Sequence, residues 1–387
     1  MTRLIEPELI IGIDAANIRG GGTVTHLAEF LSASIRVNAT PMRVYIWGCK
    51  KTLRALPDAP WIIKLNPWAL NKSFIFRTFW QCFCLDHNVK QTGCGILLVP
   101  GGSYVGAFHS VITMSQNLLP FEWGEIKRYG FSFATIRLLI LRCVQTRSFK
   151  RSQGIIFLTA HAKKIVTRFT GSLSAKTVII PHGLSNRFFM RHKTQIKIES
   201  YSEKRPYNLL YVSRIEPYKH QGNVIKAISY LREKYTWPLN LTLVGPAYEK
   251  SRKNFLDVAS RYDPNSNWIK YHGEVPYEKL HWIFKESDMG IFASTCENMP
   301  IILLELMSAG LPIVCSDRSP MPEVLGSAGV YFNSEDPAMI AKSLHKLISS
   351  PLLRSQKADL AYERALNFNW DTCSRDTLRF IRDLVRI

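Results

Sequence analysis

Residues 289–317 read MGIFASTCENMPIILLELMSAGLPIVCSD, and this stretch decides the fold. Met289–Ala293 and Leu311–Cys315 are apolar runs of strand length. Between them, Pro300–Ala309 has the length of a short helix, with proline at a favoured first helical position. A strand, a helix and a second strand in this order form the unit from which parallel sheets are built.

The same alternation extends in both directions from this stretch. Tyr207–Val212 and Leu239–Val244 are predicted strands, with a predicted helix at Gly222–Lys234 between them. Residues 189–206 are polar and basic without a strong period, and we interpret them as a linker. Before this linker the sequence predicts further strands at Leu9–Asp14, Arg43–Trp47, Gly95–Val99, Val111–Met114, Gly154–Leu158 and Thr177–Ile180.

Two tandem series of strands and helices predict an α/β protein with two Rossmann-like domains facing a cleft. We expect an N-terminal domain at 1–188, the linker at 189–206 and a C-terminal domain at 207–370. A last amphipathic helix, predicted at 371–387, is expected to pack back on the N-terminal domain. Ligands of such sheets bind beyond the carboxyl ends of the strands, so the site residues should follow strands.

The composition is that of a globular protein with a strongly basic first half. The chain has 387 residues, of which 46% are hydrophobic and 21% charged, and its net charge is +20. Residues 1–190 carry 23 Lys and Arg against 8 Asp and Glu. This excess predicts an anionic partner, and nucleic acid, an anionic membrane and a phosphorylated substrate all meet that condition.

Cysteine usage and hydropathy favour a cytoplasmic protein. No stretch approaches the roughly 18 apolar residues of a membrane-spanning helix, and the first seven residues lack the pattern of a secretory signal. The eight cysteines form no CxxC pair. We therefore expect reduced thiols and a cytoplasmic location.

Several motifs of common enzyme classes are absent from the sequence. There is no GxxxxGK[ST] phosphate loop, no GxGxxG after the opening strand and no HExxH. No two aspartates lie two positions apart, and the histidines and cysteines lack metal-ligand spacing. The sequence thus disfavours P-loop NTPases and dinucleotide-dependent dehydrogenases, and we expect neither a metal nor a resident cofactor.

Two glutamates flank the start of the helix predicted within the opening stretch. Glu297 lies just before this helix and Glu305 within it, so the two acids can reach hydroxyl groups on either side of a phosphate. Free amides at 299–302 suit an anionic diphosphate. Glu305 stands in an apolar run, where an acid needs a partner. The alternative is that Glu297 caps the helix and Glu305 lies on the surface.

Two cations follow the strand at Tyr207–Val212. Arg214 comes directly after this strand, and Lys219 comes five residues later, before a helix. Such a pair can hold both phosphates of a nucleotide diphosphate and stabilise charge on a leaving group. The alternative is an ion pair within the loop, between Glu216 and Lys219.

These motifs together resemble the retaining, nucleotide-sugar-dependent glycosyltransferases of the GT-B fold, often called family 4. The resemblance covers most of the chain and is strongest over 207–335. It rests on the E-x7-E signature from Glu297 to Glu305, combined with Arg214 and Lys219. Weaker matches are the glycines at 20–22 and the Pro-His-Gly sequence at 181–183.

The resemblance implies a role for each matching residue. Arg214 and Lys219 would bind the donor diphosphate and Glu297 a hydroxyl of the transferred sugar, and these three are the candidate catalytic residues. Glu305 would bind the ribose. The other implied donor-binding residues are Asn298, Met299, Pro300, Ile301, Gly245, Gly21 and Gly22. Transfer would retain the anomeric configuration, without a metal.

The N-terminal domain is expected to hold a glycan or a polyprenyl-diphosphate-linked acceptor, as in polysaccharide synthesis. Gln116 stands where many relatives have a histidine near the reacting sugar, and His182 is a second candidate for that vicinity. The predicted helix Phe131–Arg151 mixes basic and apolar residues, which suits the cytoplasmic face of an anionic inner membrane. Alternatively, its apolar side packs on the sheet.

Two other functions remain open from the sequence. A sugar-nucleotide epimerase of the same fold would bind a similar donor but release a free sugar without an acceptor. A basic nucleic-acid-binding protein would explain the net charge, but it predicts aromatic stacking platforms or a recognition helix. The basic segment here is mostly aliphatic, so no nucleic-acid partner is expected.

Overall fold

The computed structural model describes residues 9–38, 42–191 and 193–385. The described chain divides into two compact units. Unit 1 holds the residues up to Trp123, Phe131–Gly183 and those from Asn369 onward, and unit 2 holds Gly124–Gly130 and Leu184–Phe368. The first seven residues, considered above for a signal, and residues 386–387 of the predicted last helix lie outside the described residues.

Short strands of apolar residues form the interior of each unit. Along the described chain they are β1 (Leu9–Ala15), β2 (Met42–Gly48), β3 (Ile62–Leu65), β4 (Ile96–Val99), β5 (Val111–Ser115), β6 (Gly154–Phe157), β7 (Lys176–Ile179), β8 (Tyr207–Val212), β9 (Leu239–Val244), β10 (Ile269–Tyr271), β11 (Met289–Phe292), β12 (Ile313–Ser316) and β13 (Val330–Phe332).

Helices connect most of these strands. Along the described chain they are α1 (Gly22–Arg36), α2 (Lys50–Arg54), α3 (Phe74–Phe83), α4 (Leu85–Gln91), α5 (Trp123–Lys127), α6 (Phe133–Arg151), α7 (Ala160–Thr170), α8 (Gln221–Tyr235), α9 (Glu249–Tyr262), α10 (Tyr277–Glu286), α11 (Ile301–Ser308), α12 (Met321–Leu325), α13 (Pro337–Ile348), α14 (Pro351–Ala365) and α15 (Trp370–Val385). Among them, none combines the length and the apolar character needed to cross a membrane.

Each unit is built on a parallel sheet. Within the described residues, the order in unit 1 is β3-β2-β1-β4-β5-β6-β7 and the order in unit 2 is β10-β9-β8-β11-β12-β13. In each sheet the first strand of the unit pairs with a strand that comes later in the chain, β1 with β4 and β8 with β11. The direction in which successive strands are added reverses between these two strands. This double winding confirms the predicted α/β class with two Rossmann-like domains. The cleft between the domains stays a prediction.

Three strands that the sequence analysis did not predict lie at sheet edges. They are β3, β10 and β13, which have only three or four residues each. β3 and β10 each contain a lysine, Lys64 and the exposed Lys270, so neither forms a continuous apolar run. β13 is apolar, but its three residues are too few to predict a strand.

The unit boundaries differ from the predicted domain boundaries. The segment 189–206, predicted to be a linker, instead belongs to unit 2. Ile198 is 3% exposed within the unit 2 core, and Gln195 accepts a hydrogen bond from Arg354 Nε at 2.9 Å. The buried side chain of Ile198 and the hydrogen bond to Gln195 thus hold this mostly polar segment on unit 2.

The last helix packs within unit 1. On the face that α15 turns towards α1, Ser374 Oγ lies 2.8 Å from Ser34 Oγ. Asp371 accepts from Arg36 at 2.7 Å at the margin of the same contact. The C-terminal helix therefore completes a unit whose other elements come from the first half of the chain.

Candidate functional site

The two sequence motifs meet at the point where strand order reverses in the unit 2 sheet. β8 and β11 are hydrogen-bonded neighbours, although β9 and β10 lie between them in the chain. Arg214 and Lys219 follow β8, and Glu297 follows β11. Sheets of this type bind ligands at such a switch point, beyond the carboxyl ends of the strands.

The loop after β8 holds Lys219 in a defined position. Pro217–Lys219 form one turn of 3-10 helix, and the Tyr211 hydroxyl donates to the carbonyl oxygen of Lys219 at 2.6 Å. His220 then adopts a left-handed backbone conformation with φ of 52°, and α8 begins at the next residue. The loop is therefore short, and its backbone is tied to the strand that precedes it.

Lys219 and Glu297 form an ion pair between the two loops. Lys219 Nζ donates a hydrogen bond to Glu297 Oε1, and the side chains are 10% and 17% exposed. The ammonium also lies 5.0 Å from the ring centroid of Tyr218 and 5.7 Å from that of Phe292. Because little water reaches this pair, removing one partner would leave a poorly solvated charge.

A second contact joins the same two loops. The backbone amide of Thr295 donates to the carbonyl oxygen of Tyr218 at 2.9 Å, and Thr295 Oγ1 lies 3.1 Å from His220 Nε2. Burial, and next the positive charge of Arg128, lower the pKa of His220 to about 4. The imidazole is therefore neutral near pH 7 and acts here as a hydrogen-bonding group.

Arg214 is the exposed member of the cation pair. Its side chain is 61% exposed, and its Nε lies 3.6 Å from Glu216 Oε1. Glu216 also accepts from the Tyr129 hydroxyl at 2.8 Å. The alternative ion pair between Glu216 and Lys219 is thus wrong, because each of these residues has a different partner.

Helix α11 carries the second glutamate. The helix begins at Ile301, one residue later than predicted, with Pro300 as its N-cap and no side-chain cap. Glu297 therefore does not cap this helix. Glu305 is 0% exposed, so the alternative of a surface glutamate is also wrong. A ligand would reach Glu305 only after neighbouring side chains move. Asn298 and Met299, just before the helix, are 5% and 6% exposed.

Gly245 lies where the loops after β8 and β9 come together. Its amide donates to the carbonyl oxygen of Gly273 at 2.7 Å. Its φ is +137°, and an added Cβ would lie 2.2 Å from the carbonyl oxygen of Ser213. Both the conformation and the close packing require glycine, so Gly245 supports the loop that carries Arg214.

In unit 1, Gly21 and Gly22 lie at the start of α1. Gly21 is the N-cap with φ of 66°, and Gly22 is the first helical residue. An added Cβ at Gly21 would meet nothing within 4 Å. The left-handed conformation, rather than crowding, therefore favours glycine at Gly21.

The two predicted acceptor-side residues have different environments. Gln116 follows β5 and is half-buried, with its amide nitrogen 2.8 Å from the Met114 sulfur. His182 is 4% exposed, and its Nδ1 lies 2.8 Å from Nδ1 of His26. Burial, followed by the charge of His26, lowers the pKa of His182 well below its ordinary value. The surroundings of His182, which include the Trp370 ring, are those of a packed core histidine.

A buried carboxyl at the end of β1 escaped the sequence analysis. Asp14 is 3% exposed, and burial raises its pKa to about 6. It accepts hydrogen bonds from the Ala16 amide at 3.0 Å and from Gln81 Nε2. The sequence signal was the position of Asp14, an acid that ends a central strand. Among the described residues, no group of three His, Cys, Asp or Glu side chains is arranged to hold a metal ion.

Comparisons with known proteins find similarity to glycosyl transferases in part of the chain. Residues 192–364 match the family model of glycosyl transferases group 1. O-antigen chain mannosyltransferase B of Escherichia coli is 26% identical over 230 residues, which are 59% of this chain and 57% of that protein. A D-inositol 3-phosphate glycosyltransferase of Frankia alni is 28% identical over 182 residues. That alignment spans 45% of this chain and 44% of the relative, so the chain covers about half the length of these two curated relatives.

Solved structures share the fold over nearly the whole chain. Sucrose-phosphate synthase from Thermosynechococcus elongatus superposes with a TM-score of 0.76 at 15% identity, covering 97% of this chain and 99% of that one. The Anabaena protein HepE, in complex with UDP-glucose, gives 0.70 at 14% identity, covering 97% and 100%. The fold is therefore that of the GT-B glycosyltransferases. The similarity to the group 1 glycosyl transferases lies in residues 192–364, within unit 2.

We expect Gly245→Ala to destabilise unit 2. Forcing a side chain into this strained backbone conformation should lower the free energy of unfolding by about 1–3 kcal/mol, before the clash with Ser213 is counted. The matched control is Gly222→Ala, where the added Cβ would meet Val258 only at 3.8 Å. Urea denaturation followed by circular dichroism measures both variants, and equal stability would contradict the role of Gly245.

Proposed function

We propose that this protein is a retaining glycosyltransferase that moves a sugar from a nucleotide-diphosphate donor to a glycan or lipid-linked glycan acceptor. The observation that carries the proposal is the ion pair of Lys219 and Glu297 at the switch point of the unit 2 sheet. A cation and an acid held there suit a ligand with both phosphate and hydroxyl groups. Cell-surface polysaccharide synthesis is the process that fits such a transfer.

The two cations have different parts in donor binding. Arg214 is exposed, so its guanidinium is free to meet an incoming diphosphate. Lys219 is already oriented by its loop and by Glu297. As the bond between the anomeric carbon and the diphosphate oxygen breaks, negative charge grows on the leaving phosphate. A preoriented ammonium stabilises that charge without reorganising at the moment of reaction.

The two glutamates bind hydroxyl groups in this proposal. Glu297 holds a hydroxyl of the transferred sugar, and Glu305 holds the ribose after neighbouring side chains shift. The backbone amides of Met299 and Ile301 and the side chain of Asn298 are the further donor contacts in this proposal. A fixed orientation of the sugar matters because the acceptor hydroxyl must attack on the face that the diphosphate leaves. The departing phosphate oxygen then takes the acceptor proton, and the anomeric configuration is retained.

The comparisons support the donor class. HepE is a fold relative described with UDP-glucose, and the E. coli relative is named as a mannosyltransferase of O-antigen chains. Both descriptions fit a nucleotide sugar as the donor and a polysaccharide as the product. We further propose that the transfer needs no metal, because two cationic side chains at the site can neutralise the diphosphate.

We further propose a peripheral location on the cytoplasmic face of a membrane, and the exposed side chains of α6 support the membrane contact. Phe133, Ile136 and Ile140 are 80%, 57% and 58% exposed and, together with the exposed Arg137, follow one face of the helix. The same face continues into exposed Arg147. On the opposite face, Gln145, Ser148 and Phe149 are buried against unit 1. This helix therefore both packs on the unit and offers an apolar and basic stripe, which suits an anionic bilayer.

Donor binding is tested by thermal shift with a panel of nucleoside diphosphates and nucleotide sugars. A donor at 100 times its dissociation constant should add about 2.7 kcal/mol to the stability of the wild type. Arg214→Ala and Glu305→Ala should lose most of this shift, because they remove the diphosphate and ribose contacts. Arg261→Ala, an exposed arginine of α9, is the control. Wild-type shifts in both site variants would contradict the proposed donor site.

The ion pair is tested by single and double substitution. Lys219→Met or Glu297→Gln alone leaves a poorly hydrated charge and should cost about 3–5 kcal/mol of stability. The double variant carries no orphaned charge, so its stability should recover while its transferase activity stays at least about 100-fold below wild type. Arg379→Met with Asp376→Asn, an exposed pair on α15, is the control. Wild-type turnover by the folded double variant would rule out the catalytic assignment.

The stereochemistry and the metal independence are tested on the product. Proton NMR of the transferred sugar should show the same anomeric configuration as the donor. The reason is that the acceptor hydroxyl attacks the anomeric carbon on the face that the diphosphate leaves. Chelation with EDTA should leave the rate unchanged, because Lys219 and Arg214 take the place of a metal. An inverted product would exclude the retaining mechanism, and loss of activity that Mg²⁺ restores would exclude metal independence.

A further inference from the structure

A short segment from the first half of the chain belongs to unit 2. Gly124–Gly130 comes after β5 and before α6, and both of these elements lie in unit 1. The segment itself, called the 124–130 segment below, is grouped with unit 2. One of its residues, Tyr129, contacts Glu216, which lies 87 positions later in the chain. The segment therefore reaches the loop after β8, which also carries Arg214.

Tyr129 holds the carboxylate of Glu216. The Tyr129 hydroxyl donates a hydrogen bond to Glu216 Oε2 at 2.8 Å. Burial, and next the negative charge of Glu216, raise the pKa of Tyr129, so the phenol stays protonated and remains the donor. The Tyr129 ring lies edge-on to the ring of Tyr248, with the centroids 5.9 Å apart. Ring packing thus places the hydroxyl that makes this hydrogen bond.

Glu216 is the shared partner of Tyr129 and Arg214. Its second oxygen, Oε1, lies 3.6 Å from Arg214 Nε, and its side chain is only 12% exposed. A carboxylate that meets so little water needs protein partners for its oxygens. The Tyr129 hydroxyl satisfies one oxygen, and the other then faces the Nε side of the Arg214 guanidinium.

This arrangement decides which part of Arg214 is available to a ligand. Glu216 lies on the Nε side of the guanidinium, yet the Arg214 side chain is 61% exposed. An arginine held from its Nε side keeps its two terminal nitrogens for other acceptors, and paired N–H donors of this kind suit a phosphate. Glu216 therefore orients Arg214 without covering it.

Without Tyr129, Glu216 would act against a diphosphate in two ways. A carboxylate that has lost a hydrogen-bond donor would attract the Arg214 guanidinium more strongly and so compete with the ligand. Its charge would also repel the diphosphate, and this repulsion is larger where little water reaches the charges. Both effects weaken diphosphate binding, so the sign of the expected change is clear.

The residue before Tyr129 fixes the segment at a second point. Arg128 Nε donates to Glu125 Oε2 at 2.6 Å within the segment, and Arg128 Nη2 donates to Glu335 Oε1, after β13. The hydrogen bond from Arg128 lowers the pKa of Glu335, so this carboxyl is ionised near pH 7. Arg318 pairs with the other oxygen of Glu335 at 3.2 Å. The segment is therefore tied both to the loop after β8 and to the residues after β13.

We propose that the 124–130 segment is a positioning element of the donor site, in which Tyr129 orients Glu216 and thereby presents Arg214 to the donor diphosphate. This inference rests on the proposed function and deepens it by naming a residue that acts through others. A purely structural role of Tyr129 predicts the same effect whatever residue stands at position 216. The positioning role predicts an effect that requires the carboxylate of Glu216.

The first measurement is titration calorimetry of the full chain with UDP, GDP and ADP. Tyr129→Phe should raise the dissociation constant of the tightest-binding diphosphate by about tenfold, as expected for one charge-assisted hydrogen bond. Tyr331→Phe is the control, since it removes another hydroxyl of unit 2, which donates to the carbonyl oxygen of Gly326. Wild-type affinity in folded Tyr129→Phe would overturn the inference.

The second measurement repeats this substitution in the Glu216→Gln background. That background keeps Arg214 and Lys219, so binding of the diphosphate stays measurable. Tyr129→Phe should now change the dissociation constant by less than about twofold, because two residues that act as one unit do not have additive effects. A tenfold change in both backgrounds would mean that Tyr129 acts independently of Glu216, and the positioning role would be lost.

The anchor of the segment is tested with Arg128→Met. Loosening the segment should weaken diphosphate binding by at least about threefold, up to the tenfold change expected for Tyr129→Phe. This effect should disappear when Tyr129→Phe is already present, since the segment acts through that hydroxyl. The control is Arg261→Met, an exposed arginine of α9. An effect of Arg128→Met that persists alongside Tyr129→Phe, or no effect at all, would contradict the anchoring role.

The proposed function and this inference fail in different ways. A wild-type chain that binds none of the three diphosphates, and shows no thermal shift with nucleotide sugars, would contradict the proposed function and with it the inference. A wild-type chain that binds a diphosphate, but shows no coupling between Tyr129 and Glu216, would contradict the inference alone.

Discussion

The contact between Lys219 and Glu297 depends on one constraint, the adjacency of β8 and β11 in a parallel sheet. The two residues are 78 positions apart in the chain, and only this pairing brings their loops together. The loops are then tied a second time through Thr295 and Tyr218. Because the carboxyl ends of parallel strands share one edge, the rest of the candidate donor site follows from this neighbourhood.

The charged side chains at this edge of the unit 2 sheet differ in burial, and burial decides how readily each can contact a ligand. Lys219 and Glu297 are poorly hydrated, so each stabilises the charge of the other and neither is free to reorient at low cost. Arg214 is mostly exposed and can swing towards a ligand. Glu305 is fully enclosed in α11. The candidate site thus combines a poorly exposed ion pair with one exposed cation and one fully buried acid.

The strand order of the unit 1 sheet also reverses at one point, but the charged groups there are different. Its switch point lies between β1 and β4, and there the buried carboxyl of Asp14 accepts a hydrogen bond from Gln81. In unit 2 the poorly exposed Lys219 is paired with Glu297, whereas in unit 1 the buried acid Asp14 is paired with the neutral amide of Gln81.

The sequence by itself determined the elements whose signals are local. Continuous apolar runs predicted the central strands, and the E-x7-E spacing with Arg214 and Lys219 predicted a donor site and a resemblance to the GT-B glycosyltransferases before any coordinates. Tertiary structure alone decided which charges pair. Glu216 pairs with Arg214, and Lys219 pairs with Glu297, which lies on a loop that is distant in the chain. It also decided the edge strands, the docking of 189–206 on unit 2 and the burial of His182 against His26. Composition cannot show these features, since each depends on what the rest of the fold places beside a residue.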